Sequence, residues 1–495
     1  MSNDGRDIDL DVLIVGAGIS GIGTACQLAD RLPDVRFAVL ERRAAIGGTW
    51  DLFRYPGVRS DSDLHTFAFA FKPWRSDNML ADGHEIVAYL EEAAAEHGVR
   101  ERIRFGHQVL SAAWSSQEAR WTVTVEVDGA VRELTCRVLF GATGYYDHDA
   151  GFRPTFPGEE TFEGELLHPQ QWPEALDDAG KRVVVIGSGA TAVTVVPAMA
   201  RTAGHVTMLQ RSPSYILPVP RKNAIANAMR RVLPEQRAFE LTRRMNIAMW
   251  RGVYAGCQRY PRGSRRLIRA VTKAMLPRGY PVDEHFKPRY DPWDQRLCAV
   301  PDGDLFRAIR KGDASVVTDE IERFTPGGIL LRSGRELPAD IVVTATGLNM
   351  LPFGHVEMTV DGEPVRFDET VAFRAMMLSG VPNFAFALGY VNVAWTLKVG
   401  LVAEHLCRLL EHMERAGHEV MTPILDDPSV QRELIFEFDA GYMRRGLGAF
   451  PRRGSHGPWT VDQGYVADRD RLLHGPVEDP ALRFSSRVRE PARLA

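Results

Sequence analysis

With 495 residues, 45% of them apolar and 25% charged, the chain has the composition of a globular protein and is long enough for two or three domains. Its net charge of −4 gives no global support for nucleic-acid binding, and its five cysteines are too far apart for a CxxC pair or a zinc knuckle. A polar N-terminus and the lack of an 18-residue apolar run predict a cytoplasmic protein without a bilayer span.

A glycine-rich turn follows the first apolar strand. Residues 12–15 lead into Gly16-Ala17-Gly18-Ile19-Ser20-Gly21, a strand–GxGxxG–helix pattern that places a dinucleotide pyrophosphate on a helix N-terminus. Glu41 ends the next apolar run, where its carboxylate can accept hydrogen bonds from two ribose hydroxyls. The pattern favours FAD, with pyrophosphate contacts at Gly16, Gly18, Ser20 and Gly21.

The next segments combine a long loop with two regular elements. Residues 42–81 lack periodicity and are rich in Gly, Pro, Asp and Arg, which is typical of a functional loop. Asp82 as N-cap with Glu85 three residues later predicts a helix that ends at Gly98. Alternating apolar residues over 121–127 predict a half-buried strand.

A second glycine turn begins at Gly187, after the apolar run 183–186. The third glycine of the pattern is replaced here by Ala192, a substitution that helix–strand packing tolerates. Arg211 and Ser212 lie just beyond the following apolar run, where a cation attracts a ribose 2′-phosphate. This copy therefore favours NADPH, with pyrophosphate contacts at Gly187, Ser188, Gly189, Ala190 and Thr191.

A basic helical region follows the second turn. Residues 221–280 hold fifteen Lys or Arg and two acidic residues. A helical insertion with a solvated basic face is the favoured interpretation, and contact with an anionic membrane surface is the alternative. Further along, residues 341–347 predict a strand ending in a glycine turn, and residues 396–416 an amphipathic helix.

Two nucleotide-binding units predict an α/β fold with two Rossmann-like domains. We expect an FAD-binding domain made of residues 8–150 and 348–480. The NADPH-binding domain is expected over 151–347, with its helical insertion at about 215–292, and a loose tail over 481–495. Gly144 and Gly347 are the expected joints between the domains.

Two longer motifs lie outside the glycine turns. The segment Gly47-Gly48-Thr49-Trp50-Asp51-Leu52-Phe53-Arg54-Tyr55-Pro56-Gly57-Val58-Arg59-Ser60-Asp61 follows the pattern GGxWxxxxYPGxxxD, and residues 162–173 follow the pattern FxGxxxHxxxWP. Both resemble motifs of the Baeyer–Villiger monooxygenases. The likeness covers nearly the whole chain and is strongest to the thioamide-activating members of that family.

The resemblance implies that NADPH reduces FAD and that the reduced flavin adds dioxygen at C4a to give a peroxide. It also implies that this peroxide is kept deprotonated and converts ketones to esters or lactones. Small apolar ketones and dioxygen are the implied partners, with S-oxygenation of sulfides and thioamides as a side activity. Arg296 is implied as the catalytic cation, and Asp61 as the carboxylate that pairs with it. Flavin-wall and nicotinamide contacts are implied at Thr49, Trp50, Asp61, Arg59 and Ser60, and an adenine contact at the backbone of Val109.

The family's motif contains a histidine, His168, which we interpret as a structural link between the domains and not as a general base. Many family members carry Lys-Arg where this chain has Gln295-Arg296. In those members the lysine helps to hold the NADPH phosphate. Because Gln295 has no charge, Arg211 must hold this phosphate alone, and a weaker preference for NADPH is expected.

Two other functions stay open from the sequence alone. A flavin monooxygenase acting mainly on sulfur or nitrogen nucleophiles would need no peroxide anion, so Arg296 and Trp172 argue against it. A non-catalytic flavoprotein, acting as a redox sensor or scaffold, would bind the nucleotides without consuming oxygen when a ketone is added.

Overall fold

The computed structural model describes residues 8–295, 297–437 and 441–486. The chain folds as mixed α/β, in two large sheets with helices packed against them. Its first part is a strand–helix–strand unit followed by a loop region, a helix and an antiparallel meander. The strands are β1 Leu10–Val15, β2 Phe37–Glu41, β3 Ile103–Phe105, β4 His107–Ser115, β5 Arg120–Val127, β6 Ala130–Gly141 and β7 Tyr146–Gly151. The helices are α1 Ile19–Arg31, α2 Thr49–Leu52, α3 Leu64–Phe67 and α4 Gly83–Glu96.

The middle part contains the second strand–turn–helix unit and most of the isolated helices. Its strands are β8 Glu165–Leu167, β9 Arg182–Ile186, β10 His205–Gln210, β11 Ile216–Val219, β12 Cys298–Pro301, β13 Ala314–Thr318, β14 Ile321–Thr325, β15 Gly328–Leu331, β16 Glu336–Pro338 and β17 Ile341–Thr344. Its helices are α5 Ala190–Met199, α6 Ala224–Val232, α7 Glu235–Arg259, α8 Pro261–Met275, α9 Val282–His285 and α10 Asp304–Lys311.

The last part returns to the first sheet and adds one long buried helix. Its strands are β18 Leu348–Met350, β19 Glu357–Val360, β20 Glu363–Pro364, β21 Ala372–Phe373, β22 Met377–Leu378, β23 Phe384–Phe386, β24 Val420–Pro423, β25 Arg432–Leu434, β26 Arg452–Gly454 and β27 Leu482–Ser485. Its helices are α11 Trp395–Ala416, α12 Gly441–Gly446 and α13 Tyr465–Arg469.

The larger sheet joins strands from both ends of the chain. Its main order is β20-β19-β4-β5-β6-β1-β2-β3, and β23 pairs in parallel with β6. The centre is parallel, with Val12 opposite Phe37 in β2 and opposite Val138 in β6. Helices α1 and α11 pack against this sheet and against each other, burying Ile22, Leu397 and Leu406. The first glycine turn thus lies at the carboxyl edge of a central strand.

The smaller sheet has the order β13-β10-β9-β17-β8, and each of its pairs is parallel. Because β9 is buried on both faces, Val183, Val184 and Val185 form a continuous apolar run. Helices α5 and α10 cover one face of this sheet. Two separate parallel units of this kind are the two Rossmann-like folds that the sequence predicts, while the domain bounds remain predictions.

Two expectations need correction. The region given as a helical insertion at about 215–292 begins with strand β11, which pairs in parallel with β12 some 80 residues later, and its helices run from Ala224 to His285. The tail expected to be loose from 481 contains strand β27, whose Leu482 pairs with Pro423; residues 487–495 lie outside the described part. Among the described residues, no helix is both long and apolar enough to cross a membrane.

Candidate functional site

The first glycine turn requires glycine at two positions. Gly16 has φ +106°, and a Cβ there would lie 2.7 Å from the carbonyl oxygen of Ala142. A Cβ on Gly21 would overlap the carbonyl oxygen of Gly16, so the helix must pack directly on the turn. Gly18 is the N-cap of α1 and has no side-chain cap. The N–H groups at this end are therefore left for an anion such as a pyrophosphate.

The second turn repeats this geometry. Gly187 has φ +135°, and a Cβ there would overlap the carbonyl oxygen of Ala345. A Cβ on Gly189, the N-cap of α5, would meet nothing within 4 Å, so space for a ligand lies beside it. Ala192 is fully buried where the first turn has Gly21. Both turns can hold a phosphate group on a helix N-terminus.

Glu41 is fixed at the end of β2 by two backbone donors. The N–H of Ala17 donates to its Oε2 at 2.8 Å, and the N–H of Arg43 donates to its Oε1 at 2.9 Å. The side chain is buried at 6% exposure but still borders the cavity beside the turn. Each carboxylate oxygen keeps a lone pair that can accept a hydrogen bond from a ribose hydroxyl.

One cavity of about 340 Å³ connects the two turns. It starts at the first turn and Glu41, follows the 47–62 segment, and reaches the N-terminus of α5. Of the sequence-predicted site residues, it is lined by Gly16, Gly18, Ser20, Glu41, Thr49, Trp50, Arg59, Ser60, Asp61, Val109, Ala190 and Thr191. Its size is in the range of small-molecule and cofactor pockets.

The 47–61 segment joins the two nucleotide-binding units. Tyr55 shares a side-chain hydrogen bond with Thr191, and its burial raises its pKa to about 12, so the phenol stays protonated. Arg59 forms an ion pair with Asp304 at 2.6 Å, and both side chains are about nine-tenths buried. This segment is therefore fastened at two points to the second Rossmann-like unit.

Arg59 and Ser60 were expected to touch the nicotinamide half. The structure places both at the cavity wall, where Arg59 binds Asp304 and Ser60 donates its hydroxyl to the carbonyl oxygen of Ser62 at 2.7 Å. Asp61 also lines the cavity. Arg296, the implied catalytic cation, lies outside the described residues.

Arg211 and Ser212 are exposed just beyond β10, away from the main cavity lining. The hydroxyl of Ser188 donates to the carbonyl oxygen of Ser212 at 3.1 Å and bonds the Ser214 hydroxyl at 2.8 Å. Gly187, Ser188 and Gly189 thus face a surface beside Arg211, while Ala190 and Thr191 face the cavity. Gly21 lies beneath the first turn as a packing residue.

His148 was missed by the sequence reasoning. Its Nε2 shares a 3.3 Å hydrogen bond with the Thr49 hydroxyl, and it borders the cavity. Burial, followed by the charges of Arg42 and Arg43, lowers the pKa of His148 to about 4. The ring is therefore neutral near pH 7. Its position four residues after the Gly144 turn is the one signal that could have found it.

A buried charged pair behind Tyr390 was also missed. The Tyr390 hydroxyl donates to Asp468 Oδ2 at 2.7 Å, and Lys398 Nζ lies 2.8 Å from the same oxygen. Burial lowers the pKa of Lys398, and burial together with Asp468 raises that of Tyr390. Near the same wall, the Trp395 indole donates to the Ser20 hydroxyl at 2.9 Å. The contacts hold two aromatic rings at the wall of the cavity.

These residues fit a flavin dinucleotide and a nicotinamide dinucleotide. Each unit has a turn whose first glycine leaves no room for a side chain, a helix N-terminus without a side-chain cap, and a polar residue at or after the end of the second strand. The cavity wall between them carries aromatic rings at Trp50, Tyr390 and Trp395, which suit a planar ring system. The arrangement can bring two redox groups together at one cavity.

Comparisons with known proteins agree with this geometry. Residues 10–233 match the family described as Flavin-binding monooxygenase-like. The FAD-containing monooxygenase EthA of Mycobacterium tuberculosis (strain ATCC 25618 / H37Rv) is 50% identical over 479 residues, covering 97% of this chain and 98% of EthA.

Two solved structures share the fold. An oxidized steroid monooxygenase bound to NADP aligns with a TM-score of 0.78 and 19% identity, covering 96% of this chain and 99% of that one. A cyclohexanone monooxygenase bound to ε-caprolactone aligns with a TM-score of 0.72 and 21% identity, with the same 96% and 99% coverage.

Proposed function

Because this chain belongs to the flavin-binding monooxygenases, we propose that it is a Baeyer–Villiger monooxygenase that uses FAD and NADPH as its cofactors. The proposed reaction consumes a ketone, dioxygen, NADPH and a proton, and yields an ester or lactone, NADP⁺ and water. One oxygen atom enters the bond between the carbonyl carbon and a neighbouring carbon, and the other leaves as water. NADPH supplies the two electrons.

The observation that carries the proposal is the shared cavity. Residues from both glycine turns and from both ends of the GGxWxxxxYPGxxxD segment border the same space. The first glycine turn and Glu41 would hold FAD, which would supply the two-electron chemistry between NADPH and dioxygen. The chain must then orient the ketone, keep out water and provide a fixed positive charge for the developing negative charge.

The arginines at the cavity wall are already engaged in ion pairs. Arg42 and Arg59 line the cavity, but Arg42 pairs with Asp149 at 2.8 Å and Arg59 with Asp304 at 2.6 Å. His148 stays neutral near pH 7 because its pKa lies at about 4. From the family resemblance we assign the fixed charge to Arg296, with Asp61 at the cavity wall as the carboxylate that positions it.

The other sequence-predicted residues take binding roles in this proposal. Gly16, Gly18, Ser20 and Gly21 form the FAD pyrophosphate turn, and Glu41 binds the ribose. The flavin wall is formed by Thr49, Trp50 and Asp61, with Val109 at the adenine. We assign NADPH to Gly187, Ser188, Gly189, Ala190, Thr191, Arg211 and Ser212, with Arg59 and Ser60 near its nicotinamide half. Residues 8–150 with 348–480 form the proposed FAD domain, and 151–347 the NADPH domain.

The substrate class we propose is a small apolar ketone. Phe53, Tyr145 and Trp395 present aromatic surface to the cavity, and such surface binds apolar groups while excluding water. The structural relative bound to ε-caprolactone holds the lactone expected from a cyclic ketone. Sulfides and thioamides would use the same cavity for S-oxygenation.

The test is product analysis with the purified holoenzyme, NADPH and ¹⁸O₂. A panel of cyclic and linear ketones should give esters or lactones that each carry one ¹⁸O atom. A matched sulfide and thioamide measure S-oxygenation in the same assay. Sulfoxide without any ester would contradict the proposal in favour of heteroatom oxygenation. Hydrogen peroxide as the sole product with every ketone would contradict it in favour of a non-oxygenating flavoprotein.

A further inference from the structure

Exposed apolar side chains are concentrated on helices α6 to α8. Nine large apolar side chains are exposed in the described part of the chain, and seven lie between residues 225 and 267. They are Ile225, Val232, Leu241, Met249, Val253, Tyr260 and Leu267. Single exposed apolar residues need no explanation, but such a concentration in one segment marks an interaction surface.

The same segment is strongly basic. Residues 221–280 contain fifteen Lys or Arg and two acidic residues, so the segment carries +13. Because the whole chain carries −4, the remaining residues carry −17. The charge of this protein is therefore sharply divided. Nine of the twelve Lys and Arg side chains on the three helices are exposed, so these helices present a positive surface on an otherwise acidic molecule.

Helix α6 points its apolar face outward. Ile225, Ala228 and Val232 follow the i, i+3, i+7 spacing of one helix face, and all three are exposed, Val232 to 80%. Arg231 is exposed beside them, while Ala226 is buried against the protein. This orientation is the reverse of that expected for a helix whose apolar face forms part of the core.

Helix α8 adds a basic cavity of about 410 Å³. It is lined by Tyr215, Phe286 and Pro288 together with five cations: Arg262, Arg265, Arg266, Arg269 and Lys287. Arg265 pairs with Asp291 and Arg269 with Asp283. Within the described ranges, Arg262, Arg266 and Lys287 form no ion pair, so the cavity keeps excess positive charge suited to a phosphate group.

Helix α7 lies between the other two and shows the same mixture. Leu241 and Arg244 are exposed three residues apart, and Met249 and Arg251 follow two turns later. Aliphatic side chains interleaved with arginines match a bilayer surface, where apolar groups enter the acyl boundary and cations remain at the phosphates. A nucleic-acid groove would match the cations but leave these aliphatic side chains in water.

We propose that helices α6 to α8 form a peripheral docking surface for a bilayer containing anionic phospholipid. The α6 face inserts Ile225 and Val232, and the α8 cavity receives a lipid phosphate. This surface is separate from the cavity between the glycine turns, so the proposal holds whatever the enzyme's substrate is. It would bring the enzyme to membranes in which apolar substrates concentrate.

The experiment is co-sedimentation of the FAD-loaded protein with vesicles. Phosphatidylcholine vesicles containing 30% phosphatidylglycerol are compared with pure phosphatidylcholine at low and high salt. Binding is expected to the anionic vesicles, to fall at high salt, and to be at least tenfold weaker on the neutral ones, because each cation near the surface contributes about fivefold. Equal binding to both vesicles, or no binding to either, would overturn the proposal.

Two variants and one control assign the binding to this surface. Ile225→Asp with Val232→Asp, and separately Arg262→Gln with Arg266→Gln, should each weaken anionic-vesicle binding at least tenfold. The control pair, Val131→Asp with Leu434→Asp, changes exposed apolar residues elsewhere and should bind like the parent protein. Retained FAD absorbance and NADPH consumption show that each variant is folded. If the two double variants bound anionic vesicles as well as the control pair does, the proposal would be overturned.

Two other occupants are distinguished by measurements without vesicles. Sedimentation equilibrium tests for a second copy of the chain on this face. A mass that halves in the Ile225→Asp, Val232→Asp variant would show a self-association face and overturn lipid docking. Inorganic phosphate that saturates the α8 cavity and abolishes vesicle binding at equal ionic strength would show a soluble-anion site and also overturn it.

Discussion

The imidazole of His168 donates its Nε2 hydrogen to the carbonyl oxygen of Gly347, with a separation of 3.3 Å. Its Nδ1 accepts the backbone N–H of Gln170 at 3.2 Å, so the neutral tautomer is defined. The ring lies against Gly151, where a side chain would overlap it. His168 thus ties together three segments at the connection between the two sheets, as the sequence interpretation of a structural link predicts.

His168→Ala should loosen this connection. The variant loses one partly buried hydrogen bond of about 1 kcal/mol and leaves space beside Gly151. We expect a lower melting temperature and a larger fraction of NADPH consumed without product, measured as the ratio of NADPH oxidised to ester formed. His205→Ala is the control, because His205 bonds Gly312 and Ser315 within the second unit. Equal uncoupling in both variants would contradict a role for His168 at the joint.

His405 should make stability depend on acidic pH. It is fully buried in α11, and burial followed by the charge of Arg374 lowers its pKa to about 3. The unfolded chain binds the proton near pH 6.5 and the folded chain does not. The contribution of neutral His405 to the free energy of unfolding is therefore complete above about pH 6.5. It is lost as the pH falls toward 3, by up to about 1.4 kcal/mol per pH unit.

The His405→Gln variant tests this contribution. Between pH 6.5 and 5, its free energy of unfolding should fall less than that of the parent protein, by about 2 kcal/mol. Urea titrations of the holoenzyme at both pH values measure the difference. His456→Gln is the control, since its side chain is 50% exposed. Parallel pH slopes for the parent protein and His405→Gln would show that this group does not titrate as described.

The sequence predicted the local features of this fold well. These features depend on residues close together in the chain: the glycine turns, the Asp82 capping box, the strand predicted over 121–127 and the helix predicted over 396–416. The residue types at these positions directly indicate a positive φ, a capping hydrogen bond or a buried face. Glu41 could be placed at the end of β2 for the same reason.

Contacts between distant segments could not be predicted. Strand β11 is four residues long, contains a proline and exists because β12 pairs with it, so its sequence lacks a strand pattern of its own. Arg59 was assigned to a nucleotide, but its partner Asp304 lies 245 residues away. The bond from Tyr390 to Asp468 likewise requires the tertiary fold.

The ion pair between Arg59 and Asp304 allows its structural and binding roles to be separated. Removing either partner leaves a charge about nine-tenths buried, so Arg59→Ala and Asp304→Asn should each destabilise the protein by about 3 kcal/mol. If Arg59 also contacts NADPH, its variant alone should raise the KM for NADPH. Arg182→Ala, which breaks an exposed ion pair in the same unit, should change neither the stability nor the KM for NADPH. Equal KM values in both variants would leave Arg59 with a structural role.

Arg211 should determine the preference for NADPH over NADH. A charged hydrogen bond to the 2′-phosphate contributes about 1.5–3 kcal/mol, so Arg211→Ala should raise the KM for NADPH at least tenfold and leave that for NADH unchanged. Gln295→Lys should lower the KM for NADPH by adding the charge that many family members have. Arg201→Ala, beyond the far end of α5, is the control. Equal efficiency with the two nucleotides in the parent protein would contradict this role.

Arg296→Ala should separate the reductive half of the reaction from the oxygenating half. Hydride transfer from NADPH requires no fixed cation for an oxygen anion, so flavin bleaching under anaerobic conditions should persist. Ester formation should fall about 100- to 1000-fold, because a preorganised charge of this kind contributes about 3–4 kcal/mol. Asp61→Asn should give a smaller loss, since the arginine remains but is less well positioned. Stopped-flow absorbance and chromatographic product yield measure the two halves separately.

The control for this pair is Arg54→Ala, from the same 47–61 segment. Arg54 is 63% exposed and its nearest carboxylate is Asp51, so removing it changes the local charge equally but should leave ester yield within about twofold, as expected for an exposed pair. If Arg54→Ala lost ester formation as strongly as Arg296→Ala, the effect would come from net charge near the cavity and not from one positioned guanidinium. A normal ester yield in Arg296→Ala would show that Arg296 is not the catalytic cation. A normal ester yield in Asp61→Asn as well would show that Asp61 only packs the loop.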